Sequence, residues 1–153
     1  MTASQSLDRR GVRRRVLVAG AAALPALSFA QPEPVVEAYK AFVAGRPVAV
    51  GRVTLDIPRI SDNGNVVPVR IAVQGPFAPG KEVKSLHLFS EKNPVPQMVV
   101  FHFPAPLPRI EVESRVRLAG TQRIAAVATL ADGSLLAATA DVTVTLSACV
   151  DGT

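Results

Sequence analysis

The sequence predicts an all-β protein: a sandwich of about seven strands, with one short N-terminal helix before it and a flexible C-terminal arm after it. Three observations carry this. The apolar share is 48%, yet it holds only six Phe, one Tyr and no Trp, so Val, Ala, Leu and Ile dominate. Thirteen Pro and ten Gly punctuate the chain, a mix that suits short strands and turns better than long helices. From residue 48 onward apolar residues recur with a period of two, broken by turn signals at the spacing of a sandwich. At 153 residues the chain fits one domain and can bury a core without covalent staples.

The helix is predicted over 32–44, with Val35, Val36, Tyr39, Phe42 and Val43 on one face, Pro34 in the first turn and Gly45 as the stop. It reads as a lid on a sheet. The first strand spans 48–55. Ser61-Asp62-Asn63-Gly64-Asn65 is a turn, because Asn and Gly tolerate positive φ. Strand 66–74 alternates Val67, Val69, Ile71 and Val73 with polar or small partners, and Pro68 in it argues for an edge or a bulge. Strand 83–89 sets Leu86 and Leu88 against His87 and Phe89, and 98–103 comes after the loop at 91–96.

The last third is the clearest. In 110–118, Ile110, Val112, Val116 and Leu118 alternate with Glu111, Glu113, Arg115 and Arg117, giving one dry and one wet face. Strand 121–130 meets Asp132-Gly133, a strong hairpin signal. The final strand, 135–146, points Leu136, Ala138, Ala140, Val142, Val144 and Leu146 one way and Thr139, Asp141, Thr143 and Thr145 the other. Seven strands so spaced predict an immunoglobulin-like sandwich.

The organisation is threefold: 1–30, 31–146 and 147–153. Residues 1–30 read as an export signal. Arg13-Arg14-Arg15-Val16-Leu17 has the twin-arginine look, Val16 to Leu27 is a short apolar run, and Ser28-Phe29-Ala30 places cleavage after Ala30. A membrane span needs about 20 apolar residues, more than this run offers, so no membrane association is expected after signal removal. The formal charge of +5 comes mostly from this segment: it carries +4, and the remainder only +1. With no clustered basic patch, nucleic acid is not an expected partner.

The tail 147–153 holds the only cysteine, Cys149. An exported chain meets oxidising conditions, and a single cysteine there points to an intermolecular bond or a reactive thiol. Were the last strand to continue, Ala148 and Val150 would extend its apolar face and Cys149 would join Thr143, Thr145 and Ser147 on the solvent face. The two histidines, His87 and His102, lack any close ligand spacing with Cys149, so neither a metal site nor a cofactor is expected. Phosphate loops, zinc-protease patterns and haem-attachment pairs are absent from the sequence. These features favour a carrier or binding module over an enzyme.

The stretches Asn63-Gly64-Asn65-Val66-Val67-Pro68-Val69, Leu88-Phe89-Ser90-Glu91-Lys92-Asn93-Pro94-Val95-Pro96, Phe101-His102-Phe103, Arg117-Leu118-Ala119-Gly120-Thr121-Gln122 and Ala131-Asp132-Gly133-Ser134 stand out together. They resemble the SoxY family, the sulfur-carrier subunit of the periplasmic thiosulfate-oxidising system. The resemblance implies an immunoglobulin-like fold, a periplasmic location and a heterodimer with a SoxZ-like subunit. It implies that Cys149 holds thiosulfate-derived sulfur covalently while separate enzymes act on it: a c-type haem protein that loads the thiol and a hydrolase that removes sulfate. The arm departs from the family's Gly-Gly-Cys-Gly-Gly. It reads Ser147-Ala148-Cys149-Val150-Asp151, similar to a SoxY-related subgroup ending Ala-Ala-Cys-Ile-Glu. Ala148 and Val150 stiffen and widen it relative to glycine. Asp151 disfavours the thiolate and repels an anion. The alternative is a non-catalytic periplasmic assembly module whose cysteine forms an intermolecular disulfide.

Overall fold

The computed structural model describes residues 37–146. The export signal, the first part of the predicted helix and the whole arm lie outside the described residues. Within them are one helix, α1 (Glu37–Val43), and nine strands: β1 (Val48–Val50), β2 (Val53–Asp56), β3 (Ile60–Ser61), β4 (Val67–Val73), β5 (Val83–Ser90), β6 (Gln97–His102), β7 (Ile110–Val116), β8 (Gln122–Leu130) and β9 (Leu135–Val144). They form two sheets. One runs β1-β9-β8-β5-β6, with β3 also on β9; the other runs β2-β4-β7. The expected sandwich is borne out.

The expected alternation holds where it was clearest. Val67, Val69, Ile71 and Val73 of β4 are buried, and so are Ile110 and Val116 of β7. They face Leu86, Leu88, Ile124, Ala126 and Ala128 from the larger sheet, forming the main core. On the wet face of β4 and β7, Arg70 bridges Glu111 and Glu113. Gly133 takes φ +83°, as the Asp-Gly turn demands.

The predicted strand 48–55 is two strands in different sheets. β1 pairs parallel to β9 and β2 pairs antiparallel to β4. Between them Gly51 adopts φ +99°, a value that L side chains rarely take. The Arg52 guanidinium then donates to the Gln74 and Pro76 carbonyls at 2.6 and 2.7 Å and lies over the Phe77 ring. The chain thus crosses between sheets and closes one side of the sandwich.

Pro68 sits in β4, the middle strand of its sheet, rather than at a sheet edge. It is tolerated because β2 pairs β4 only as far as Asp56↔Arg70, so at residue 68 only β7 is a neighbour.

The described helix is the expected lid. Tyr39, Phe42 and Val43 cover Val48, Phe89, Ala125, Val127, Leu135 and Ala137 on the outer face of the larger sheet. This second covering explains why β5 and β8 are buried on both faces. The helix stops where Ala44 and then Gly45 take positive φ.

Candidate functional site

The last strand was expected to reach Leu146 with that side chain on the core face. It ends instead at Val144, and Leu146 is 69% exposed. The reason lies in its neighbour: β8 begins at Gln122, opposite Val142, so β9 outruns it. Beyond that point β3 takes over, pairing Ile60↔Thr143 and Ser61↔Val144.

A dense set of hydrogen bonds surrounds the root of the arm. The Thr143 amide donates to the Arg59 carbonyl at 2.8 Å, and the Thr145 amide to that of Ser61 at 3.1 Å. The Gly64 amide donates to the Leu146 carbonyl at 2.8 Å, while the Gly64 carbonyl accepts from the Leu118 amide at 2.8 Å. Thr121 Oγ1 accepts from the Val144 amide at 3.0 Å and donates to its carbonyl at 3.4 Å. The Asn63 side chain accepts from the Asn65 amide at 2.8 Å, which fixes the turn that holds Gly64.

A second tier lies behind these contacts. Asn93 Nδ2 donates to the Arg117 carbonyl at 2.7 Å, and its Oδ1 accepts from the Ala119 amide at 2.9 Å and from Gln122 Nε2 at 3.2 Å. Gln122, itself buried, accepts from the Lys92 amide at 2.9 Å. Three loops distant in sequence thus meet at the end of the sandwich where the chain leaves. Sequence reasoning missed this network. A signal was present: Asn63, Gly64, Asn93, Thr121 and Gln122 all lie in stretches that carry the family resemblance.

The sequence-predicted site residues Ser147, Ala148, Cys149, Val150 and Asp151 lie outside the described residues. The two histidines are both placed. His87 is buried beneath α1, with its ring 4.4 Å from that of Phe42. Gln97 Nε2 lies 3.3 Å from Nδ1 and Ser85 Oγ 2.8 Å from Nε2. The Gln97 amide nitrogen can only donate, so Nδ1 accepts, and in the neutral ring the proton sits on Nε2, which donates to Ser85 Oγ. Burial, then the nearby charges of His102 and Arg46, push the His87 pKa down. His102 is exposed at the end of β6 that pairs with Ser85, away from the arm root. Among the described residues no group of three or more His, Cys, Asp or Glu is placed to hold a metal.

Two clefts open on the surface. One, of about 640 Å³, lies on the β4–β7 sheet beside Asp56, Arg70, Glu113 and Arg115. The other, of about 460 Å³, lies between β6 and β7 and is lined by Val95, Met98, Val99, Arg115 and Arg117 among others. Both linings include Ser114, and among the described residues no hydrogen bond joins its hydroxyl to a base.

Fold and site define a β-sandwich that ties its polar loops together around the exit of its own last strand. The chain belongs to the SoxY family: the family described as sulfur oxidation protein SoxY matches residues 39–149. Proteins of that family are carrier subunits of sulfur oxidation, not themselves catalytic, and associate with Sox-system partners such as SoxZ.

No curated protein matches the chain. Among solved structures, the superoxide reductase (neelaredoxin) of Ignicoccus hospitalis is 16% identical, covers 61% of this chain and 80% of its own, and has a TM-score of 0.44. The superoxide reductase of Nanoarchaeum equitans is 13% identical, with coverages of 59% and 90% and a TM-score of 0.41. A variant of the Archaeoglobus fulgidus superoxide reductase (neelaredoxin), in its reduced form, is 13% identical, with coverages of 60% and 86% and a TM-score of 0.44. Likeness at this level bears on neither site nor activity.

Proposed function

We propose that this chain is a periplasmic sulfur carrier that holds sulfur intermediates covalently on Cys149 and presents them to separate enzymes. The observation that carries the reading is the convergence of loops on the arm root. Three of the segments that resemble SoxY, those holding Asn63–Asn65, Glu91–Asn93 and Arg117–Gln122, meet there, and Cys149 comes three residues after Leu146 in the sequence. The domain acts as the holder and the tail thiol as the working group.

In this reading residues 1–30 direct twin-arginine export and are removed after Ala30. A SoxZ-like subunit completes the carrier. Loading couples the Cys149 thiolate to thiosulfate. A bond forms between Cys149 Sγ and the outer sulfur of thiosulfate, and two electrons pass to a c-type haem protein, leaving a Cys149 Sγ–S–SO₃⁻ adduct. Water then cleaves the sulfur–sulfonate bond, releasing sulfate and two protons and leaving a persulfide on Cys149. In this reading Ser147-Ala148-Cys149-Val150-Asp151 is the arm of the SoxY-related subgroup that is less rich in glycine. In this reading Asp151, a negative charge two residues from the thiol in the sequence, opposes approach of an anion, so loading depends on an enzyme that neutralises this charge.

The test is the intact mass of the mature protein from thiosulfate-fed cells, before and after reduction. A reducible adduct on Cys149 with the mass of sulfane sulfur or a thiosulfonate is expected, absent in Cys149→Ser. A bare thiol, or only a disulfide-linked partner, would replace the carrier reading with the assembly module.

A further inference from the structure

The two sides of the sandwich differ. One is closed by the β1–β2 crossing at Gly51 and Arg52. On the other, the core runs out into the cleft between β6 and β7. Inward-facing Leu86, Leu88, Ile124, Ala126 and Ala128 are fully buried, whereas Met98, Val99 and Phe101 of β6 and Val112 and Ser114 of β7 are only half-buried. Met98 is the extra residue of a bulge, since β5 pairs Leu88↔Val99 and then Phe89↔Gln97. It adds a further apolar side chain to this open seam.

Among the described residues β6 is also an unprotected edge. Natural edges are blunted by charge, proline or brevity. β1 has three residues, β2 four before Pro58, and β7 carries Glu111, Glu113 and Arg115. β6, Gln97-Met98-Val99-Val100-Phe101-His102, has no charge and no proline. Val95, 69% exposed, extends its apolar line. The Phe103 amide bonds the Lys84 carbonyl on β5, and antiparallel ladders alternate. The amide and carbonyl groups of Val99 and Phe101 therefore point to β5, and those of Val100 and His102 point away from the sheet.

We infer that β6 and the β6–β7 cleft are the docking surface for a partner subunit, which adds an extended apolar strand to β6 and sets a carboxylate on Arg115 and Arg117. The inference rests on the partnership in the proposed function and names its surface. Charge selects the occupant. Neither Arg115 nor Arg117 takes part in an ion pair among the described residues. Residues 95–103 contain no carboxylate, so a second copy adding the same strand would leave both guanidiniums unpaired. A different chain, apolar along its strand and acidic beside it, satisfies both requirements. The surface adjoins the arm root, because Asn93 at the head of the β6 loop bonds the Arg117 carbonyl and the Ala119 amide.

The test uses the mature chain, alone and mixed with the SoxZ-like subunit of the same system, with amide exchange read by NMR. The Val100 and His102 amides are expected to exchange fast alone and at least tenfold more slowly in the complex. Val100→Pro removes an outward amide that no ladder uses, so the fold should survive while the dissociation constant rises at least tenfold. Arg117→Glu should weaken the complex similarly. A complex that leaves these amides unprotected overturns the surface while sparing the partnership. No complex at all removes both. A homodimer through β6, or β6 protection in the isolated chain that disappears on deleting 147–153, assigns the seam to a second copy or to the tail and overturns the inference.

Discussion

Removing the Asn93 side chain should loosen the end of the sandwich that holds the arm. Asn93→Ala deletes three hydrogen bonds at once, to the Arg117 carbonyl, the Ala119 amide and Gln122 Nε2. Water replaces the exposed bond to Arg117 at little cost. The other two are partly buried, and a lost bond of this kind costs about 1 kcal/mol, more where a donor is left unmet. The expected destabilisation is therefore about 2 kcal/mol. With a urea slope of about 1–3 kcal/mol per molar, the midpoint should fall by roughly 1 M. Asn93→Asp keeps the acceptor for Ala119 and Gln122 and loses only the donor to Arg117, so it should cost less than Asn93→Ala. In a double-mutant cycle with Gln122→Ala the two losses should fall short of additive by about 1 kcal/mol, because the residues share a bond. A loss below about 0.5 kcal/mol for Asn93→Ala, or simple additivity in the cycle, would refute the idea that this network fastens the three loops.

The core supplies the other expectations. His87 is held neutral in the folded state, its pKa below the ordinary value of about 6.5. The unfolded chain therefore binds more protons in that range. Its contribution to stability is complete above about pH 6.5 and is lost as pH falls from there through the folded pKa; His87→Gln should flatten that slope in denaturation curves. Phe42→Ala, which uncovers the same ring, should cost about 2–3 kcal/mol and narrow the pH window by letting water reach His87. Gly75→Ala drives a Cβ into the Pro108 carbonyl oxygen, well inside contact distance. Backbone on both sides leaves no room to yield, so loss of more than about 3 kcal/mol or failure to fold is expected, read by thermal unfolding or soluble yield.

Much of this fold is legible in the sequence because period-two burial is a local code. Val67 to Val73 and Ile110 to Val116 declare their faces residue by residue, and Asp132-Gly133 declares its turn. The failures share one cause, which is that pairing is not local. Nothing between Val48 and Leu55 distinguishes one strand from two; only the parallel partner β9 on one side and β4 on the other separate them. Leu146 keeps the parity of its strand in sequence, yet the strand has already lost β8, so the side chain faces water. Pro68 was legible as a residue that a full ladder rejects, but not as one placed where β2 has ended. The site divides in the same way. A lone thiol is visible in composition. The network of Asn93, Gln122, Thr121 and Gly64 is visible only once three loops are brought together.

Under the proposed function, the bond from Gly64 to Leu146 sets a boundary on how the carrier can be used. Cys149 lies three residues past that fixed point, and an extended chain gains about 3.3–3.6 Å per residue. At full extension three residues would carry a sulfur held on Cys149 on the order of 10 Å beyond Leu146, about the thickness of one layer of a protein. An enzyme whose reacting centre lies deeper than that below its rim cannot be served by the tail alone. Its mouth must fit over the Asn63–Asn65 turn and the Glu91–Asn93 loop, so the end of the sandwich becomes part of the plug. Each enzyme in the cycle then has to recognise the same few loops in turn, and only one can hold the carrier at a time.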